Sequence, residues 1–256
     1  MNFLFLRLLY KASLVTILFI CTSSSLQAES FEWHSYLSEA QNTVEISRRK
    51  NSGRGIAIGI GRSCAVAENL KCFHLRDYSF PLDWILTSFD GLVGLFETDF
   101  HDFFNYEHFS IGMYGVYHSG YDIYFPHIDL NMDNWELNGM GKIQPKNSEG
   151  LTHYHKIKEN FCRRVARLYA FLNSNLPIYL IRNGDITVEQ GKRLYELLKR
   201  KFPTTNLTLI CTEEHYSGAE NYSENSFHYY PIKVRTPEES ANLVGAIRGY
   251  LLKVLK

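Results

Sequence analysis

Residues 55–84 read GIAIGIGRSCAVAENLKCFHLRDYSFPLDW, and the spacing of small and apolar residues in this stretch decides the fold class. Ile56, Ile58 and Ile60 alternate with small residues, as a short buried strand requires. Gly59 and Gly61 supply permissive backbone for a sharp turn after it. Ser63 is a good helix N-cap, so Cys64 is expected at the first position of a helix running to about Phe73, with Val66, Leu70 and Phe73 on one face. A thiol in that place ionises readily: unsatisfied N–H groups and the positive end of the helix dipole favour the thiolate, and Arg62 adds a charge nearby. Two other readings fit the same residues. Free cysteine commonly behaves as a small buried hydrophobe. Gly59-x-Gly61-x-x-Cys64 after a strand is also close to a dinucleotide fingerprint, with Asp83 about 20 residues on where a ribose-binding acid would sit, although the third glycine is missing.

Working outward, residues 177–182 (PIYLIR) and 206–211 (NLTLIC) read as strands flanking a helix that starts at a Thr187/Gln190 capping box and runs to about Lys201. A further strand at 229–234 precedes a last helix capped by Thr236, with Pro237 in its first turn. Strands alternating with helices predict an α/β domain over residues 55–256, with a mainly parallel sheet covered by helices. Between these blocks, a helix is expected to bury Ile85, Phe89, Val93, Leu95 and Phe96, loosened by Gly91 and Gly94. Residues 99–104 (DFHDFF) form an acidic, aromatic loop or helix end. A long helix from about Lys156 to Asn173 buries Ile157, Phe161, Val165, Leu168 and Leu172 and carries Arg163, Arg164 and Arg167 on another side. Such arginines are either a solvated face or a site for phosphate or carboxylate.

The first 28 residues have the form of a secretory signal peptide: Arg7 and Lys11, the apolar run 12–21 (ASLVTILFIC), then small residues ending at Ala28. The expected outcome is export to the periplasm or beyond after cleavage, an uncleaved anchor being the alternative. Residues 29–54 read as a polar extension, helical around 36–47, and a basic linker from Arg48 to Arg54. The whole chain of 256 residues carries 27 basic and 27 acidic residues. Loss of Arg7 and Lys11 with the leader leaves 25 against 27, a net of −2, which gives no reason to expect nucleic acid as a partner. Export permits disulfides. Cys64 and Cys72 stand about 12 Å apart along one helix, too far to bridge, while a pairing of Cys162 with Cys211, or of either with Cys72, stays open. The cysteine spacings form no zinc framework, and His153 and His155 are two apart, so neither metal nor cofactor is expected.

One resemblance brings these residues together. Gly59-Ile60-Gly61-Arg62-Ser63-Cys64, Ala67, Leu70, Leu75-Arg76, Ser79, Pro81-Leu82-Asp83-Trp84, and then Asp99-Phe100 and Phe103 resemble the signature of a bacterial family of unknown function described as putative papain-like cysteine peptidases. Ile60 and Leu82 are mild departures from it. Residues 125–130 (FPHIDL) occupy the place of the family's His-Asp-Phe motif with one residue inserted, and Arg163-Arg164 match a later arginine pair. The resemblance implies acyl transfer on a peptide or amide, with Cys64 as nucleophile, His127 as base and then acid, and Asp129 orienting the imidazole. Asp83 is the reserve orienting acid, and Asp83, Trp84 and Arg163 are candidate substrate-binding residues. The papain architecture, a helical lobe with an antiparallel barrel-like lobe, is the alternative fold. Two other functions are kept: a Rossmann-like transferase holding a nucleotide or sugar phosphate at Gly59 and Gly61 with Arg182, and an exported binding protein without catalysis.

Overall fold

The computed structural model describes residues 31–51, 55–62, 64–72, 74–128, 130, 133–184, 186–213 and 220–231. The expected leader, the part of the expected 229–234 strand beyond Pro231 and the expected last helix lie outside them. A 3-10 turn (Trp33–Tyr36) runs into α1 (Leu37–Asn51), followed by β1 (Ile56–Gly59), α2 (Ala65–Cys72), β2 (Leu86–Thr87) and α3 (Phe89–Glu97). Five short strands come next: β3 (Phe109–Gly112), β4 (Gly115–His118), β5 (Ile123–Phe125), β6 (Trp135–Leu137) and β7 (Ile143–Pro145). Helix α4 (Ser148–Leu172) then leads to β8 (Pro177–Asn183), α5 (Val188–Lys201), β9 (Asn206–Glu213) and the hairpin β10 (Tyr222–Glu224) and β11 (Phe227–Pro231).

The main sheet has the order β1-β8-β9-β11-β10. The first four strands are parallel, from Ile56 opposite Ile178 through Leu180 opposite Leu209 to Phe227 opposite Leu209, and only β10 is antiparallel. Alternation along each strand explains how both faces are covered. Ile56, Ile58, Leu180, Leu207, Leu209 and Phe227 enter the large core, while Ala57, Ile181 and Ile210 turn the other way and meet Val66 and Leu70 of α2. Full burial of each such aliphatic side chain is worth about 1.5–3 kcal/mol. The molecule is therefore a mixed α/β fold with a mostly parallel sheet.

The rest of the sheet structure departs from the sequence reading. Residues 86–125 build a four-stranded antiparallel sheet of order β2-β5-β4-β3, and β6 pairs with β7. The helix expected from Ile85 begins only at Phe89, because Ser88 caps it by accepting the Gly91 N–H at 3.0 Å. Gly91 is a contact point: a Cβ there would lie 1.9 Å from the Tyr121 carbonyl oxygen, so the small sheet's turn packs directly on α3. Helix α4 starts at Ser148, eight residues before the expected Lys156, because Asn147 caps it through the Gly150 N–H at 2.8 Å.

The segment read as an extension and linker places Phe31, Trp33, Ala40 and Val44 in the large core, and Arg48, Arg49 and Lys50 form the last turn of α1. Asp99 ties three elements together. Its carboxylate accepts from Tyr169 at 2.8 Å and pairs with Lys201 at 2.7 Å, while its carbonyl accepts from the Trp33 indole at 2.9 Å. Burial works against the Asp99 charge, but Lys201 and Tyr169 outweigh it and hold the carboxyl below its ordinary range. Phe100, Phe103 and Phe104 of the expected loop are buried, and Phe104 stacks on Phe161 of α4 at 4.9 Å. Cys64, Cys72, Cys162 and Cys211 are all free thiols, so no disulfide forms among them.

Candidate active site

The turn after β1 is shaped by backbone that L-residues rarely adopt: φ is +83° at Gly61 and +69° at Arg62. Thr87 of β2 fills the space this turn leaves. Its Oγ1 would lie 2.3 Å from a Cβ at Gly61, and it accepts the Arg62 N–H at 3.0 Å. Arg182 of β8 supports the turn from beneath. Its guanidinium donates to the Ile60 carbonyl at 3.3 Å, to Thr87 Oγ1 at 3.1 Å and to the Thr87 carbonyl at 3.1 Å, and the side chain is 0% exposed. Arg182 and Gly61 are thus occupied by the protein's own atoms. Gly59 is likewise enclosed, its missing Cβ facing Val66 at 3.1 Å and Asp83 Oδ1 at 3.6 Å.

Cys64 follows this turn and is half-buried. Its carbonyl accepts the Glu68 N–H at 3.0 Å, which makes Cys64 the N-cap of α2, one place earlier than the sequence suggested. The positive end of the helix is therefore at Cys64. The other cysteines are differently placed. Cys72 is exposed at the carboxyl end of the same helix. Cys162 and Cys211 are buried, and burial pushes their thiols up to about 11 and about 12.

Asp83 is 2% exposed and closes the 76–83 loop. Its Oδ2 accepts from Arg76 Nε at 3.1 Å, Arg76 Nη2 at 2.7 Å and the Phe80 N–H at 2.8 Å. Burial pushes its carboxyl above the ordinary range, against the Phe80 N–H and Arg76, which favour the charge. Arg76 also lies 5.6 Å from the centroid of the Trp84 ring, and Trp84 meets His127 edge to face at 5.8 Å. Trp84 and His127 line a pocket of about 290 Å³ with Pro81, Ile85, Phe125 and Ile128; the far wall is His153, Ile157, Asn160, Phe161 and Arg164 of α4. Cys64 is not part of this lining, and Asp129 lies outside the described residues.

Arg163 is turned away from the pocket. It pairs with Glu159 at 2.7 Å and Glu39 at 3.8 Å and covers the Tyr36 ring on the α1 side. Its neighbour Arg164 faces the pocket instead. Burial lowers the Arg164 pKa; Asp83 offsets part of that cost, and Arg76 and Arg167 add to it. No sequence motif joins His153, Ile157, Asn160 and Arg164, yet their spacing of four, three and four places them on one helix face. His155, two positions from His153, does not line the pocket. Among the described residues no group of three or more His, Cys, Asp or Glu is placed to hold a metal ion, and no helix is long and apolar enough to cross a membrane.

The model of a family described as "Putative papain-like cysteine peptidase (DUF1796)" matches residues 56–205, from the first residue of β1 to the end of the α5–β9 connection. The chain belongs to that family. The match spans more than half of the chain and contains Cys64, Asp83, Trp84, His127 and the whole of α4. No curated protein and no solved structure matches the chain.

Proposed function

We propose that this protein hydrolyses peptide bonds with Cys64 as nucleophile and His127 as general base, in line with the description of its family. The supporting observation is the contrast among the four described thiols: only Cys64 combines partial exposure with the amino end of a helix. In the proposed reaction His127 takes the Cys64 proton, the sulfur adds to the substrate carbonyl, and the imidazolium returns the proton to the leaving amine. Water then hydrolyses the thioester. Asp129 is proposed to orient His127. Asp83 suits that role less well, because its Oδ2 is committed to Arg76 and Phe80. The pocket beside Trp84 would hold the substrate. The leader over residues 1–28 is proposed to export the enzyme, and the mature chain would then begin at Glu29, which mass determination of the secreted protein checks.

A transferase that grips a nucleotide at the glycine turn has less support. Thr87 fills the space at Gly61, and Arg182 is consumed by the turn's own carbonyls and hydroxyl. The test of the peptidase reading is the pH dependence of iodoacetamide labelling, mapped by mass spectrometry, with exposed Cys72 as internal reference. Cys64 is expected to react at least about tenfold faster than Cys72 near pH 6 and to lose that lead in His127→Ala. Peptide hydrolysis should vanish in Cys64→Ala. Equal labelling of the two cysteines in the wild type overturns the reading.

A further inference from the structure

The pocket wall carries a guanidinium, that of Arg164, which makes no hydrogen bond or ion pair among the described residues. Three guanidiniums, from Arg76, Arg164 and Arg167, gather near one carboxylate, Asp83. Arg76 forms the ion pair with Asp83 at 2.7 Å, and Arg167 donates to the Ser79 carbonyl at 2.7 Å. Arg164 has no hydrogen-bond or ion-pair partner among the described residues; its guanidinium lies over the Phe161 ring, 5.4 Å from the centroid. It is nevertheless partly buried and lines the pocket. An arginine stays charged in any such setting, and a planar guanidinium in an apolar recess is matched by a carboxylate that it can bind through two N–H groups.

The remaining walls fix the rest of the ligand. Trp84, Ile85, Phe125, Ile157 and Phe161 are apolar, and about 290 Å³ accommodates one large side chain rather than an extended peptide. His127, His153 and Asn160 supply polar groups to the same lining. We propose that this pocket binds a carboxylate carried on an apolar body the size of one residue, with Arg164 holding the carboxylate and Trp84, Phe125 and Phe161 the body. Two peptide groups carry that chemistry: the free carboxyl terminus of a chain ending in an apolar residue, and an acidic side chain. As a statement about substrate, the proposal rests on the peptidase reading above.

The test separates the two. Binding is measured by calorimetry to the full-length Cys64→Ala protein, which cannot turn substrate over, using acetyl-Ala-Phe with a free carboxylate, the same dipeptide as its amide, and acetyl-Ala-Glu amide. At least one carboxylate peptide is expected to bind about tenfold or more tightly than acetyl-Ala-Phe amide. Preference for acetyl-Ala-Phe assigns the pocket to chain ends, and preference for acetyl-Ala-Glu amide assigns it to acidic side chains. A second substitution, Arg164→Gln, should erase the preference while leaving the weak amide affinity in place, and Arg164→Lys should keep part of it. Equal binding of acids and amide, no binding of any of them, or a preference that survives Arg164→Gln overturns the proposal. Carboxylate binding without hydrolysis by the wild type would sink the peptidase reading and keep the pocket; hydrolysis without carboxylate preference would do the reverse.

Discussion

Residues 83–87 separate two regions that use arginine in opposite ways. On one side, Arg182 is sealed beneath the glycine turn with its guanidinium spent on Ile60 and Thr87. On the other, Arg164 stands in the wall of the pocket over the Phe161 ring, with Asp83 acting on it through charge and without a hydrogen bond among the described residues. The same side chain is a strut in the first region and part of a pocket wall in the second. The difference shows that charge in this protein says little about function until its partners are counted.

The largest effect that would break this contrast comes from Arg182→Met. Similar volume is kept, but two carbonyls and a hydroxyl lose a charged donor inside the core, so urea unfolding should show a loss of about 4 kcal/mol or more, while Arg164→Gln costs less than about 1 kcal/mol. Equal losses would mean that Arg164 is structural too. Next is Gly61→Ala, expected to cost about 2–4 kcal/mol because its positive φ and the contact with Thr87 both penalise a Cβ. Gly141→Ala is the comparison, since φ there is +73° with nothing within 4 Å, and about 1–2 kcal/mol should be lost.

The histidines sharpen the same comparison. His118 is wholly buried, its Nε2 bonded to the Asp102 carbonyl at 2.9 Å and its Nδ1 accepting from the Gly120 N–H at 3.1 Å, whereas His127 is exposed at the pocket. Burial lowers the His118 pKa to about 4, against 6.5 when unfolded. The unfolded chain therefore binds more protons across that window, and stability falls as pH drops from about 6.5 to 4, by about 3 kcal/mol in all. Urea midpoints at pH 7 and pH 4.5 should show this loss in the wild type and a smaller one in His118→Gln.

Strands β1, β8 and β9 of the main sheet were legible because they are long enough, or isolated enough, for alternation to show, Ile56 and Ile58 against Ala57 and Leu207 and Leu209 against Ile210, whereas β10 was not and the sequence reading starts β11 two residues late. The Thr187/Gln190 box was legible as chemistry, and both of its bonds are present. The small antiparallel strands were not. Each runs three or four residues or fewer with one face half exposed, as in β3, where Ile111 points outward, and too few residues repeat for a period to emerge. The pocket wall was hidden for a related reason. His153 and Asn160 look like ordinary polar positions until α4 is known to begin at Ser148, and nothing local distinguishes Arg164 from Arg163.

The support beneath the glycine turn carries a kinetic consequence. Ile56 pairs with Ile178, across more than a hundred residues, whereas β8 and β9 are joined through one intervening helix. Closing the longer loop is the slower event, so β8 and β9 should associate first and β1 should dock afterwards. During synthesis the turn before Cys64 leaves the ribosome early but stays unformed until residue 182 has followed it. A nascent chain would thus carry Cys64 without its turn through most of its own production.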